Sequence, residues 1–347
     1  MRSPSRFPVW LLAVVALLLV AAWLASTWLN AREDERDPQT ALRMQQLVMG
    51  VYRGAVRPLP RSAPVAPEKL ALGRKLFNDA KLSGDGSRSC AGCHPLDKGG
   101  SDHLAHPVGQ QGNDGNLKTP SIFNTAFNYA HFSDGRALAL EDQVRVSLTD
   151  PVQNGAALED VLKYLKGNPG YRADFTRIYQ HAPDQAAVID ALASFERTLI
   201  TPDSRFDRYL RGDPTALNAA QQRGYERFQS YGCISCHQGI NLGGNMNAKL
   251  GVMNDYFAGR EDIRRVDFGR FNLTGAAEDR HYFRVPSLRN VALNAPYFHD
   301  GSVPTLRHAV QLMSYYQLGR DIRGQDLEDI LSFLETLNGD YQNAQTD

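Results

Sequence analysis

The chain has 347 residues, more than one hydrophobic core usually needs, so two domains are the default expectation. Its 38 basic and 38 acidic residues cancel, which removes the usual reason to expect nucleic acid or a generally acidic partner. With 29 glycines and 18 prolines in an otherwise ordinary globular composition, ordered loops are expected in place of long disorder.

The first element departs from this pattern. Phe7 to Leu29 carries no charge, follows Arg2 and Arg6, and runs into Arg32-Glu33-Asp34-Glu35-Arg36-Asp37. A bilayer core takes roughly 20 apolar residues in a helix, which this segment supplies. Basic residues before it and the bulk of the chain after it fit the positive-inside rule. Residues 1–31 therefore read as a single-pass anchor in a bacterial inner membrane, with the remainder in the periplasm. The competing reading is a cleaved signal peptide, whose apolar region is usually about 7–15 residues. Ala25-Ser26 and Ala31 make poor cleavage sites, and either reading exports the rest. All three tryptophans (Trp10, Trp23 and Trp28) lie in this segment, so none remains for the exported part. A mixed-polarity stretch at 32–65 reads as a stalk.

Next comes a helical stretch with Gly73 and Phe77, then Cys90-Ala91-Gly92-Cys93-His94. Cys-x-x-Cys-His is the c-type haem attachment pattern. Two thiols must reach the two vinyl groups on one porphyrin edge, and the next histidine must swing beneath the ring to bind iron. A lone Cys-x-x-Cys also suits a redox dithiol or half a zinc site. Here all four cysteines fall into two such motifs, each followed at once by histidine. Pro120-Ser121-Ile122-Phe123-Asn124-Thr125-Ala126-Phe127-Asn128 follows, then Phe132 and Asp134-Gly135, and an amphipathic helix is expected over Val188 to Leu199. A connector at 201–214, around Pro202 to Pro214, leads into the second half.

The second half repeats the first. Gly224 and Phe228 precede Cys233-Ile234-Ser235-Cys236-His237. Pro286-Ser287-Leu288-Arg289-Asn290-Val291-Ala292-Leu293-Asn294, Phe298 and Asp300-Gly301 then align without a gap onto the earlier segment. The alignment continues through Leu140 with Leu306 and Val144 with Val310, and a closing helix is expected over Leu327 to Leu337. Strand-like alternation is scarce. The chain thus reads as mainly α, with tandem cytochrome c-type haem domains at 66–200 and 215–340 behind an N-terminal transmembrane helix. Cys90, Cys93, Cys233 and Cys236 would attach two haem c groups, with His94 and His237 as proximal ligands.

A helix beyond the second Asp-Gly carries Met313, and a thioether is a standard sixth ligand that raises a haem's potential. The offset from Pro120 to Pro286 carries Met313 back onto Ser147, whose hydroxyl is a poor ligand. Haem 2 is expected as a closed His237/Met313 relay and haem 1 as His94 with an open far side. The bland alternative for Met313 is a core methionine, and Tyr315 and Tyr316 are rival ligands.

These residues resemble the bacterial di-haem cytochrome c peroxidase family, which includes the MauG-type enzymes. The likeness covers almost everything after residue 66. It rests on Leu76-Phe77, both attachment motifs, Phe132-x-Asp134-Gly135-Arg136, Val285-Pro286-Ser287-Leu288-Arg289-Asn290 and Ala295-Pro296-Tyr297-Phe298-His299-Asp300-Gly301. The resemblance implies that haem 2 takes electrons from a small c-type cytochrome or a membrane quinol. It implies that haem 2 passes them to haem 1, where hydrogen peroxide is cleaved. It implies Met313 as the relay's methionine, by its distance from His299, and homodimers are common among such relatives.

Departures accompany the likeness. The family's acidic residue over the open haem corresponds to Gln153, while Gln143 is retained. Glutamine can hydrogen-bond peroxide but cannot take and return a proton. The family's inter-haem tryptophan corresponds to Ser133, and its removable histidine to Gln110, with His103, His106 and His131 near enough in sequence to substitute. A calcium-binding asparagine corresponds to Lys118, whose ammonium argues against bound calcium. Three functions fit: a peroxidase, a MauG-like oxidant of a partner protein, and a di-haem electron carrier or redox sensor.

Overall fold

Helix α1, Pro67–Phe77, starts with proline at its first turn, where a missing N–H costs nothing. Glu68 sits in its first turn and Arg74 and Lys75 in its last, each complementing the helix dipole. The computed structural model describes residues 55–107 and 117–341, within one compact unit of the chain, Ala55–Asp347. After α1 come α2 (Leu140–Thr149), α3 (Leu158–Gly167), α4 (Pro169–Tyr179) and α5 (Gln185–Arg197). Then follow α6 (Arg205–Leu210), α7 (Ala219–Ser230), α8 (Leu306–Leu318) and α9 (Gly324–Glu335). The architecture is mainly helical. Among the described residues the strands are β1 (Asn247–Lys249) and β2 (Tyr282–Arg284), paired antiparallel with Asn247 opposite Arg284.

The internal repeat is realised as two copies of one helix crossing. Helix α1 crosses α5 so closely that a Cβ on Gly73 would lie 2.2 Å from the Ala191 carbonyl oxygen. Helix α7 crosses α9 in the same way, with a Cβ on Gly224 at 2.0 Å from the Asp329 carbonyl oxygen. Only glycine permits such an approach. Beside each crossing two phenylalanines pack, Phe77 on Phe195 at 5.0 Å and Phe228 on Phe333 at 5.3 Å. Around the first pair lies a core including Leu76, Leu148, Leu165, Phe175 and Leu192; around the second lie Phe206, Leu327, Ile330 and Leu337.

Between the two cores runs a hydrogen-bonded seam. Asn124 and Asn290, equivalent in the repeat and both with left-handed backbones, each donate Nδ2 to the same Thr201 hydroxyl at 2.9 Å. Asn241 reaches back to the Asn124 carbonyl and the Asn128 side chain, both at 2.9 Å. Tyr129 N–H donates to the Gly244 carbonyl at 2.8 Å, and Lys118 N–H to that of His299 at 2.9 Å.

The stalk expectation needs correction at its carboxyl end. Val56 and Leu59 are buried, and Val56 belongs to the second core. Leu59 N–H donates to Asp207 at 3.1 Å, and the Arg57 carbonyl accepts from Arg289 at 3.0 Å. Two apolar residues spaced three apart gain more by burial than by exposure on a stalk. The uncharged Phe7–Leu29 segment and Gln110 lie outside the described residues. Among the described residues no helix is long and apolar enough to cross a membrane.

Candidate haem sites

Each attachment motif occupies a tight turn, Cys90–Cys93 in one module and Cys233–Ser235 in the other. The histidine that follows is oriented by backbone carbonyls. His94 Nδ1 lies 2.9 Å from the Gly100 carbonyl, and His237 Nδ1 lies 3.1 Å from that of Leu242. A carbonyl only accepts, so Nδ1 carries the proton and Nε2 keeps its lone pair, the tautomer that ligates a metal. The Pro120 backbone also hydrogen-bonds the His94 ring, and the Pro286 backbone the His237 ring. These prolines open the two copies of the repeated segment, so each copy helps to hold the motif histidine of its own module. Burial lowers the pKa of both imidazoles and keeps them neutral.

The four cysteines are unpaired. Burial pushes the Cys90 thiol up to about 12 and the Cys233 thiol up to about 11, the reverse of what a reactive dithiol needs. Among the described residues the side-chain ligand atoms of neither motif close to within 4.8 Å of one another, as a shared zinc ion would require. Two thiols and an imidazole set wider than one ion suit a macrocycle edge with its central iron. Buried polar atoms without protein partners, Arg88 Nη1 and Gln143 Oε1, lie in the first module, where a non-protein group can meet them. The residues present fit haem c at both motifs.

The residues expected over haem 1 form two separate pairs. Gln143 on α2 donates Nε2 to the Ser147 hydroxyl at 3.0 Å. Gln153, just beyond α2, donates Nε2 to Asp150 Oδ2 at 3.1 Å, and Arg136 stands 3.6 Å from that carboxylate. A carboxylate also only accepts, so Gln153 must turn its NH2 toward Asp150 and its oxygen away. Asp150 was not singled out by the sequence, since nothing in its type or spacing distinguishes it from a helix-terminal acid.

Of the histidines near Gln110 in sequence, His103 has both ring nitrogens on carbonyls, Ala295 at 3.0 Å and Lys98 at 2.7 Å. His131 is buried, and its pKa is pushed down to about 4 by desolvation and the Arg284 charge. His106 is exposed. In the second module Met313 is half-buried on α8 against Leu250, Tyr256 and Phe257. Tyr316 packs edge-on against Tyr256 at 5.0 Å, while Tyr315 is 50% exposed. Lys118 Nζ donates to the Thr119 carbonyl at 2.8 Å, and burial brings its pKa down to about 8. Asp267, His299 and Asp300 bring metal-capable atoms together, but Arg264 and the Asp267–His299 contact of 2.6 Å already satisfy them.

The family model for di-haem cytochrome c peroxidase matches residues 67–215. The chain is 36% identical to the cytochrome c551 peroxidase of Nitrosomonas europaea, over 82% of this chain and 84% of that protein. The chain belongs to the di-haem cytochrome c peroxidase family. It is also 42% identical to the cytochrome c peroxidase Ccp of Escherichia coli K12 over 82% of its own length, a match that spans 61% of that longer protein. Among solved structures, a MauG-like protein associated with microbial copper homeostasis superposes with a TM-score of 0.72 at 28% identity, covering 84% of this chain and 95% of that one. Membership implies two haem c groups, and the paired motifs are where this family member would carry them.

Proposed function

We propose that this protein is a membrane-anchored periplasmic di-haem peroxidase that receives electrons at its second module and reduces hydrogen peroxide at its first. The observation that carries this reading is the asymmetry between Met313 and its repeat equivalent Ser147. Met313 offers a thioether on α8, whereas the Ser147 hydroxyl is engaged by Gln143 and offers no ligand. Bound haem would supply one-electron iron chemistry at both sites and, at the first, a face open to peroxide. Two electrons and two protons convert one hydrogen peroxide to two waters.

The chain's own part is to orient the haem irons and the bound peroxide. His94 and His237 would hold the irons through Nε2, their rings fixed by carbonyls. The oxygens of Gln143 and Gln153 accept hydrogen bonds from a bound peroxide. Asp150 positions Gln153 by accepting from its Nε2. Support for a small c-type cytochrome as the donor comes from the peroxidase relatives, while a membrane quinol would follow from anchoring in the membrane. Support for inner-membrane anchoring is the uncharged Phe7–Leu29 segment, and a homodimer follows the habit of the family.

A second reading, a di-haem electron carrier or redox sensor, is favoured by Gln153, an amide where acid–base cleavage needs an acid. Absorption spectra of the oxidised protein separate the two. High-spin ferric bands and rapid reaction with peroxide are expected; low-spin spectra in both redox states with no peroxide reaction overturn the peroxidase reading. Gln153→Glu is expected to raise peroxide turnover by about 100-fold, the lower end of what a positioned acid–base group contributes.

A further inference from the structure

Arg284 closes β2 at the seam between the modules. Its backbone N–H donates to the Ser133 carbonyl at 2.8 Å, and its Nε donates to the Phe132 carbonyl at 3.2 Å. Nη1 reaches the Val285 carbonyl at 3.4 Å. Opposite it on β1 stands Asn247, whose Oδ1 is buried without a hydrogen-bond partner. Two residues further along the chain, the Pro286 backbone holds His237. Arg284 thus joins the segment that orients the second histidine to the segment that runs into Asp134-Gly135 of the first module.

What Arg284 lacks is a counter-charge. Among the described residues no carboxylate lies within 4.0 Å of its guanidinium, and the ionisable groups that sense it are Tyr129 and His131. Arg270 also lies near Tyr129, but it has its own carboxylate partner, Asp279 at 3.5 Å. Burial holds the guanidinium below the ordinary arginine range. Arg289, five residues on, shows the alternative: fully buried, it has Asp207 at 2.8 Å. Carbonyls take the Nε–H and an Nη1–H of the partly buried Arg284 but leave its charge without a carboxylate partner. An anion at the seam would complete it. Haem c, attached through its vinyl edge, carries two propionate carboxylates on the edge opposite.

We infer that Arg284 is the counter-ion of a haem propionate at the seam between the modules, and that its charge raises the potential of the haem it holds. A nearby cation favours the reduced haem, because reduction adds negative charge. The inference rests on two bound haems and not on peroxide turnover. Loss of either proposal therefore leaves the other standing.

The test is a spectroelectrochemical titration of the purified di-haem protein as wild type, Arg284→Gln and Arg284→Lys. Glutamine keeps a donor for the Phe132 carbonyl and removes the charge; lysine keeps the charge. Arg284→Gln is expected to move one haem's ferric/ferrous equilibrium toward ferric by about tenfold, ~59 mV for one electron. Arg284→Lys is expected to stay close to wild type. Whichever haem moves identifies whose propionate is bound, and movement of both reports a shared guanidinium. Unchanged equilibria in Arg284→Gln, or an equal shift in Arg284→Lys, overturn the inference. Should Arg284→Gln not take up haem, resonance Raman of Arg284→Lys decides through the propionate bending modes. These shift if the guanidinium binds a propionate and stay fixed if it does not.

Discussion

Glu196 shows how a single side chain can set the response of this molecule to pH. It is 5% exposed on α5, and its Oε2 has no hydrogen-bond partner. Desolvation pushes its pKa from the usual 4.5 to about 8, with Arg197 opposing and Glu141 adding to the shift. A carboxyl whose folded pKa is raised favours the fold while protonated. Its contribution is fully present below about pH 4.5 and is lost as pH climbs through about 8. Chemical denaturation of wild type and Glu196→Gln between pH 5 and pH 8 checks this. Wild type is expected to lose stability relative to the variant as pH rises, and parallel profiles would refute it. The residue was invisible in the sequence, because a glutamate beside Arg197 on an amphipathic helix reads as solvated.

At the scale of elements, the repeated helix crossing was legible and its tightness was not. Gly73 with Phe77 and Gly224 with Phe228 stood out as matched pairs, but their crossing partners on α5 and α9 lie more than a hundred residues away. An alanine methyl at either glycine meets backbone rather than a movable side chain. Overpacking of this kind typically costs about 1–3 kcal/mol. Gly224→Ala is therefore expected to lower the thermal midpoint followed in the haem 2 absorption, and Gly73→Ala that followed at haem 1. Midpoints unchanged in both variants would show that the helices can slide apart freely. Helix ends followed local chemistry, such as the Asn218–Gln221 capping box that starts α7. Those signals lie within one turn and need no distant contact.

Across the whole molecule the two modules are joined through Thr201. Its hydroxyl accepts from both repeat asparagines, Asn124 and Asn290, inside a buried environment. Thr201→Val keeps the shape and removes the acceptor, leaving two buried N–H donors unpaired. Each such loss costs about 1–3 kcal/mol. Urea denaturation should show that destabilisation, with the mutant midpoint well below wild type; coincident curves would show that the amides find other partners. The sequence by itself determined the mainly helical class, the two Cys-x-x-Cys-His motifs with the histidine that closes each, and the non-equivalence of Met313 and Ser147. All of these depend on residue type at short spacing or on self-similarity along the chain. Tertiary structure alone decided that the repeated prolines help to hold the histidines and that residues 55–59 join the second module. It also decided that Asp150 holds Gln153, and that Arg284 faces the first module without a counter-charge. Those facts depend on burial and on contacts between segments far apart in the chain, which set the free energy of a charge and leave no mark on local sequence.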